Sequence, residues 1–417
     1  MSDVNEEAVV VGGGLAGAQF ASALRDQGWR GGIRLICGES DAPYHRPPLS
    51  KAYLEGIATE ASLQLKSAAH YEQRNVDLVI GVQVHSIDRA ARSLTMSDGQ
   101  TLRWSKLILA TGARNRQLPG CGSSPQILYL RTKADAEALK RRAAASRSVI
   151  VLGGGFLGLE VAHSLRKQGK DVTVLEAAGR LLARASSAEI SAALLAMHAA
   201  HGVKVRLGAS IERVCDGEEG VEVTLSSGEW LVADLMVVSI GVVPNMELAA
   251  QAGLEVSNGV VVDEFLATSD PGIFAIGDCA SFPSTFANGP LRLESVQNAN
   301  DQARCLASSL ATGHAKAYNA LPWFWSDQGL KLQIAGLVST AERFWIKGGA
   351  AGSFSVYGFR DDQLVSVESL GSPADHLAAR KLLADGRAVG YDEIVGSVPV
   401  LMGAVNGGPA RQCSGAC

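Results

Sequence analysis

The sequence predicts an α/β protein in which one parallel-sheet unit occurs twice, followed by a smaller α+β domain. Three observations lead there. A Gly-rich turn between a β-branched run and a helix occurs at Gly12 and recurs at Gly153. Each turn is followed by a second β-branched run that leads to an acidic residue. From about residue 318 the composition changes to an aromatic cluster and alternating, strand-like segments.

In the first unit, residues 8–11 are a short apolar strand run, 15–27 read as a helix and 33–36 as the next strand. The same order returns with 148–152, a helix to about 167, and 171–176. This is duplication of one βαβ unit, not a short-period repeat. Two further buried-strand runs end in glycine, 106–112 and 234–241, and read as crossings between domains. Residues 273–278 form another apolar strand that ends in Gly277-Asp278, with a helix expected after it. The simplest topology inserts the second unit into the first. The expected domains are 1–113 with 242–317, 114–241, and a C-terminal α+β domain at 318–417. Strands are expected at 354–359 and 364–367, a helix near 375–383, and a mobile tail from Gly407.

Composition narrows the classes. A 417-residue chain is too long for one ordinary core. Its 47% hydrophobic and 19% charged residues are those of a globular protein. A net charge of −4 gives no sign of nucleic-acid or membrane affinity. The seven cysteines are odd in number and scattered, which is not a disulfide framework. No CxxC or CxxxxC pair follows the first turn, which argues against a thiol-relay reductase. The eight histidines show no metal-ligand spacing, and His198 and His201 are expected at the surface. An acidic start and the lack of a long apolar run give a cytoplasmic, reducing location as the expectation.

The turns carry the chemistry. Gly12, Gly14 and Gly17 form a complete GxGxxG, with Leu15 and Ala16 opening the helix. The first glycine permits the turn, the second lets a pyrophosphate approach, and the third lets helix and strand pack closely. Glu39, after the second strand, suits a ribose hydroxyl pair. Gly153, Gly155 and Gly158 repeat the device, with Phe156 and Leu157 at the helix start and Glu176 closing the strand. Two fingerprints in one chain imply two Rossmann-like dinucleotide-binding domains, one for FAD and one for a nicotinamide dinucleotide. A carboxylate at Glu176 favours NADH, since it would repel a 2′-phosphate. Arg180 and Arg184 weigh against that preference, unless they lie on a solvated helix face. Asp278, at the end of its strand, suits the ribityl hydroxyls of a flavin.

These residues resemble the glutathione-reductase-type flavoproteins. The stretches 46–51 (RPPLSK), 293–296 (LESV) and 323–328 (WFWSDQ) resemble, more narrowly, the NADH:ferredoxin reductases of bacterial monooxygenase and dioxygenase systems, the putidaredoxin reductase and rhodocoxin reductase family. The similarity runs from about Ala8 to about Gly396. It implies FAD contacts at Gly14, Ala16, Glu39, Lys51, Val84, Arg131, Asp278 and Val296. Arg46, the crossing Ala110-Thr111-Gly112, Gly277 and Trp325 belong to the same candidate site. NAD contacts are implied at the second turn, at Glu160 and Glu176, with Gly241 beside them. Lys51 and Glu160 match an ion pair beside the flavin ring and are the candidate catalytic residues. Trp325 matches an aromatic at the ring edge, and Arg304 a basic residue where a [2Fe–2S] ferredoxin docks.

The function expected on this basis is an FAD-dependent reductase. It takes hydride from NADH and passes single electrons to a ferredoxin that supplies a cytochrome P450 or a ring-hydroxylating oxygenase. Two rival readings stand beside it. One is an NADH-dependent enzyme of the same fold that reduces a small molecule or oxygen. The other is a non-enzymatic, NADH-sensing interaction protein.

Overall fold

The computed structural model describes residues 5–121, 124–217, 220–349, 352–386 and 388–397. The stretch from Gly407, with Cys413 and Cys417, lies outside the described residues.

The first unit is a parallel five-stranded sheet. Its strand order is Ile273–Ala275, Lys106–Leu109, Glu7–Val11, Gly32–Cys37, Val76–Ile80. The second is also parallel and five-stranded, in the order Ile127–Tyr129, Leu235–Val238, Ser148–Leu152, Asp171–Glu176, Lys204–Leu207. The last four positions of each order, three inner strands and one edge, correspond one to one. The remaining edge strand comes from late in the chain in the first sheet and from early in the second. That asymmetry follows from insertion of one unit into the other. Each sheet also has a three-stranded antiparallel flap on its crossover, Val84–Arg103 and Ile211–Ala233. The two passages between units run side by side as the strand pair Ala113–Asn115 and Val242–Pro244.

Both sheets bury near-continuous Val, Ile and Leu runs, as parallel strands covered on two faces require. The helix Leu15–Asp26 and the long helix Val296–Thr312 pack together on the first sheet through small residues, including Ala18, Ala303 and Ala307. A five-stranded antiparallel sheet follows, in the order Trp323–Asp327, Lys331–Gly336, Gln363–Leu370, Phe354–Arg360, Arg343–Gly348, with helix Pro373–Ala384 against it. This is the expected α+β domain. Its other face packs on the second unit, where Leu332 and Ile334 join Leu159, Ile190 and Leu194 in one core.

Two expectations about local structure fail. Asp278 does not precede a helix: Gly277–Cys279 is one 3₁₀ turn that passes into strand Ala280–Ser284. Parallel pairing with Gly259–Val261 captures that segment, so tertiary pairing overrides local preference. His198 is not at the surface. It is fully buried on helix Ala188–Ala200 beneath the C-terminal sheet, while His201 is exposed.

Candidate active site

The two Gly-rich turns share their backbone conformation and close contacts. Gly12 has φ +121° and Gly153 φ +111°, which only glycine adopts without strain. A Cβ at Gly12 would lie 2.2 Å from the Ala110 carbonyl oxygen, and one at Gly153 2.4 Å from that of Ser239. The third glycines do the packing expected of them. A Cβ at Gly17 would lie 2.1 Å from the Gly12 oxygen, and one at Gly158 2.0 Å from the Gly153 oxygen. The middle glycines differ in kind: Gly14 and Gly155 have nothing within 4 Å of an added Cβ.

Those openings face one continuous cavity of about 2090 Å³ that both turns line. Helices Leu15–Asp26 and Phe156–Lys167 begin at these glycines with no side-chain cap. Helices starting at Thr132, Ser187 and Ser295 are capped by their hydroxyls. Uncapped N–H groups aimed into a roomy cleft fit a pyrophosphate at each end. The residues present therefore fit two dinucleotides.

The acidic residues are held differently in the two units. Glu176 closes its strand, and its two carboxylate oxygens accept from the Gly154 and Ala178 amides, each at 2.7 Å. By sheet register the corresponding residue of the first unit is Cys37. A Cβ at Gly13 would meet its Sγ at 2.3 Å. Glu39 lies two residues further on. It accepts from the Tyr44 hydroxyl at 2.6 Å and from Arg46 at 2.5 Å. Arg46 also donates to the Arg131 carbonyl at 2.6 Å, and Arg131 pairs with Asp278 at 2.8 Å. Glu39, Arg46, Arg131 and Asp278 thus form one linked wall of the cavity.

Between the turns stands an ion pair. Lys51 Nζ is 2.5 Å from Glu160 Oε2, with both side chains mostly buried. Prolines 47 and 48 shape the 3₁₀ turn Pro47–Ser50 that presents Lys51, whose ammonium also donates to the Pro47 carbonyl. Glu160 lies one turn after Phe156 on the helix that opens at the second fingerprint. Trp325 is part-exposed on the cavity wall, with Lys51 Nζ 5.5 Å from its ring centre.

Most of the remaining candidates line the same cavity, among them Leu15, Ala16, Val84, Val296, Leu157 and Gly241. The crossing Ala110–Gly112 does too, where Thr111 and Asn245 exchange hydrogen bonds at 2.6 and 2.9 Å. Arg304 is exposed at its rim. Gly17, Gly158 and Gly277 stand outside the lining. Gly277 donates its N–H to Gln302, and a Cβ there would meet Ala16. Arg180 and Arg184 are on a loop, not a helix face. Arg180 is spent on the carbonyls of Ala183, Ser186 and Ser187, which leaves Arg184 exposed on the cavity wall.

Sequence reading missed three polar partners. Ser50 donates to Glu160 Oε2 and Ser326 to Glu160 Oε1, each at 2.7 Å, and Gln328 donates to Ser326 at 3.1 Å. The signal was in the 323–328 stretch: period-two alternation puts 324, 326 and 328 on one strand face, opposite Trp325.

The fold and site define an oxidoreductase whose two dinucleotide-binding turns open into one cavity. The chain belongs to the pyridine nucleotide-disulphide oxidoreductase family, whose model matches residues 6–303, and the reductase C-terminal model matches 323–400. FAD and NAD are its cofactors. It is 47% identical to rhodocoxin reductase of Rhodococcus erythropolis over 381 residues, 90% of this chain and 89% of that one. Among solved structures it is similar to the ferredoxin reductase for the CYP199A2 system from Rhodopseudomonas palustris. That match has a TM-score of 0.90 and 42% identity, over 93% of this chain and 96% of the other. The covalent putidaredoxin reductase–putidaredoxin complex matches with a TM-score of 0.89 and 39% identity, over 93% and 95%.

Among the described residues no helix is long and apolar enough to cross a membrane, and no cluster of side chains could hold a metal ion.

Proposed function

We propose that this chain is a cytoplasmic NADH:ferredoxin reductase that serves a cytochrome P450 or a ring-hydroxylating oxygenase. The observation that carries the reading is the Lys51–Glu160 pair, set between two dinucleotide turns in one cavity. FAD, when bound, supplies the conversion of a hydride from NADH into single electrons. The chain's own residues do the rest. The first turn, with Glu39, Arg131 and Asp278, would hold the flavin dinucleotide. The second turn and Glu176 would hold NADH. The Lys51 ammonium stabilises negative charge developing beside it, and Glu160 fixes where that ammonium stands.

Other observations support the same reading. Among the described residues Cys37 is the cysteine that lines the cavity, and burial, with Glu39 nearby, pushes its thiol up to about 12. Such a thiol is inert at neutral pH, which speaks against a thiol relay. Trp325 and Arg304 give the cavity an aromatic wall and a basic rim, which suit a small acidic iron–sulfur protein. The relatives whose names and titles speak of rhodocoxin, a ferredoxin and putidaredoxin are similar over nine-tenths of this chain. We place the domain boundaries at 113/114, 241/242 and 317/318.

Anaerobic titration of the purified yellow protein with NADH tests this. The flavin band should bleach, and added oxidised [2Fe–2S] ferredoxin should restore it. A protein that releases no FAD on denaturation, or whose band stays bleached with ferredoxin, would contradict the proposal.

A further inference from the structure

The strand Trp323–Asp327 and the helix Phe156–Lys167 meet in register. Phe324 packs edge-on against Phe156, with ring centres 4.7 Å apart. Ser326 bonds Glu160. Beyond them Gly329 lies against His163, so closely that a Cβ there would come 2.3 Å from its ring. The register has a geometric cause. Two strand residues advance about 6.6 Å. Four helix residues advance about 6 Å. The pairs Phe324–Phe156 and Ser326–Glu160, two strand residues and four helix residues apart, therefore stay aligned.

We propose that Ser326 and Gln328 are positioning residues for Glu160, acting through a one-way chain of hydrogen bonds that begins at His198. The proposal rests on the role given above to the Lys51–Glu160 pair. The chain's direction is fixed from its charged end. Glu160 Oε1 is a carboxylate oxygen and only accepts, so the Ser326 hydroxyl donates to it at 2.7 Å. Ser326 Oγ then accepts from Gln328 Nε2 at 3.1 Å. The amide oxygen of Gln328 is left facing His198 Nε2 at 3.1 Å, and it too only accepts. His198 therefore carries its proton on Nε2. Its Nδ1, buried and without a partner, is the bare nitrogen.

Every donor in this chain points toward Glu160. Ser326 and His198 are 1% and 0% exposed and Gln328 is 0% exposed, so water cannot substitute for any link. Burial lowers the His198 pKa, as do His163 and His201 beside it, while the bond to Gln328 opposes this; the net shift is downward. The downward shift favours the neutral ring, and the buried Nδ1 has no acceptor to receive the second N–H of an imidazolium. An amide at the centre blocks proton hopping. The chain therefore holds the carboxylate in place and does not ferry protons. Glu160 Oε2 is taken by Ser50 and Lys51, so Ser326 alone fixes the second oxygen and with it the plane of the carboxylate.

Two readouts on the FAD-loaded protein test this. Nitrogen-15 NMR of labelled histidine, with His198→Gln for assignment, should show His198 as the neutral Nε2–H tautomer at neutral pH. Gln328→Met should release that preference. In stopped flow, Ser326→Ala should slow the limiting rate of flavin reduction by NADH about tenfold, with a smaller change in NADH affinity, because a hydrogen bond to a charged group is lost. Gln328→Met should slow it about threefold, through loss of a neutral bond. Ser326→Thr, which keeps the hydroxyl, should recover most of the rate. An Nδ1–H tautomer or an imidazolium at His198, or wild-type reduction in a folded Ser326→Ala protein, overturns the proposal. The tautomer reads this chain alone and Lys51→Met reads the pair alone, so the two readings fail separately.

Discussion

Lys51 Nζ lies 2.5 Å from Glu160 Oε2, and this contact joins the turn after the first fingerprint to the helix of the second. One ion pair therefore ties together the two units that hold the two dinucleotides. Its partners are held on each side, Lys51 by the Pro47 carbonyl and Glu160 by Ser50 and Ser326.

Replacing Lys51 with Met removes the positive charge while keeping much of the side-chain volume. Flavin reduction by NADH should slow on the order of tenfold to a hundredfold, the range for losing one preorganised charge or donor. Glu160 would be left buried with its hydroxyl partners but no cation, so some loss of stability is also expected. Rapid-mixing traces that match wild type would show that Lys51 is only structural.

Glu176 should set coenzyme choice. Its carboxylate sits on the second turn, held by the Gly154 and Ala178 amides. Glu176→Gln removes the charge that repels a 2′-phosphate and retains one acceptor oxygen. The ratio of kcat/KM for NADH over NADPH should fall several-fold. Arg184 is exposed on the same wall and is the group left to meet a phosphate, so Arg184→Ala should raise that ratio. Equal use of both coenzymes by the wild type would refute the assignment.

Glu368 gives a pH dependence. It is 1% exposed and its oxygens accept from the Ser187 amide, joining the C-terminal sheet to the second unit. Burial raises its carboxyl from 4.5 to about 7, against the opposing pull of the Ser187 bonds. Between those pH values the unfolded chain has released this proton and the folded chain keeps it. Stability from this group is therefore complete below about pH 4.5 and declines as pH rises to about 7, by on the order of 3 kcal/mol. Thermal melts of Glu368→Gln across that window should show a flatter slope than wild type. Parallel slopes would place the ionisation elsewhere.

Arg304 should act on the protein acceptor alone. It is exposed at the cavity rim, on the helix that begins at Val296 beside the cavity. Arg304→Ala should raise the apparent KM for ferredoxin, and the effect should shrink as salt rises and the field shortens. Ferricyanide needs no dock, so NADH–ferricyanide turnover should remain near wild type. Equal losses with both acceptors would mean that Arg304 supports the fold.

The duplication was legible because tight backbone contacts leave glycines as a signature. Gly12, Gly17, Gly153 and Gly158 could carry no side chain, and so stand out at their spacing. The charged pair was not legible from spacing. Lys51 and Glu160 are 109 residues apart, and only resemblance brought them together. Glu39 and Glu176 read alike in sequence, yet they occupy different places because Cys37 fills the first unit's equivalent position. His198 was misplaced although its helix is apolar nearly all round. An apolar helix of this kind argues for burial, but the C-terminal sheet that covers it lies more than a hundred residues away in sequence, so the spacing of the two histidines gave no sign of their different surroundings. The serine and glutamine partners of Glu160 were hidden by the aromatics between which they alternate.

Electron delivery to a ferredoxin is tested most directly by steady-state NADH oxidation by the wild-type protein with three acceptors in turn: a [2Fe–2S] ferredoxin, ferricyanide, and oxygen alone. An NADH:ferredoxin reductase should show fast, saturable turnover with ferredoxin, whose visible band bleaches as each NADH reduces a pair of them. Turnover should also be fast with ferricyanide and only slow with oxygen. Turnover with oxygen as fast as with either acceptor, while ferredoxin stays oxidised, would contradict this function.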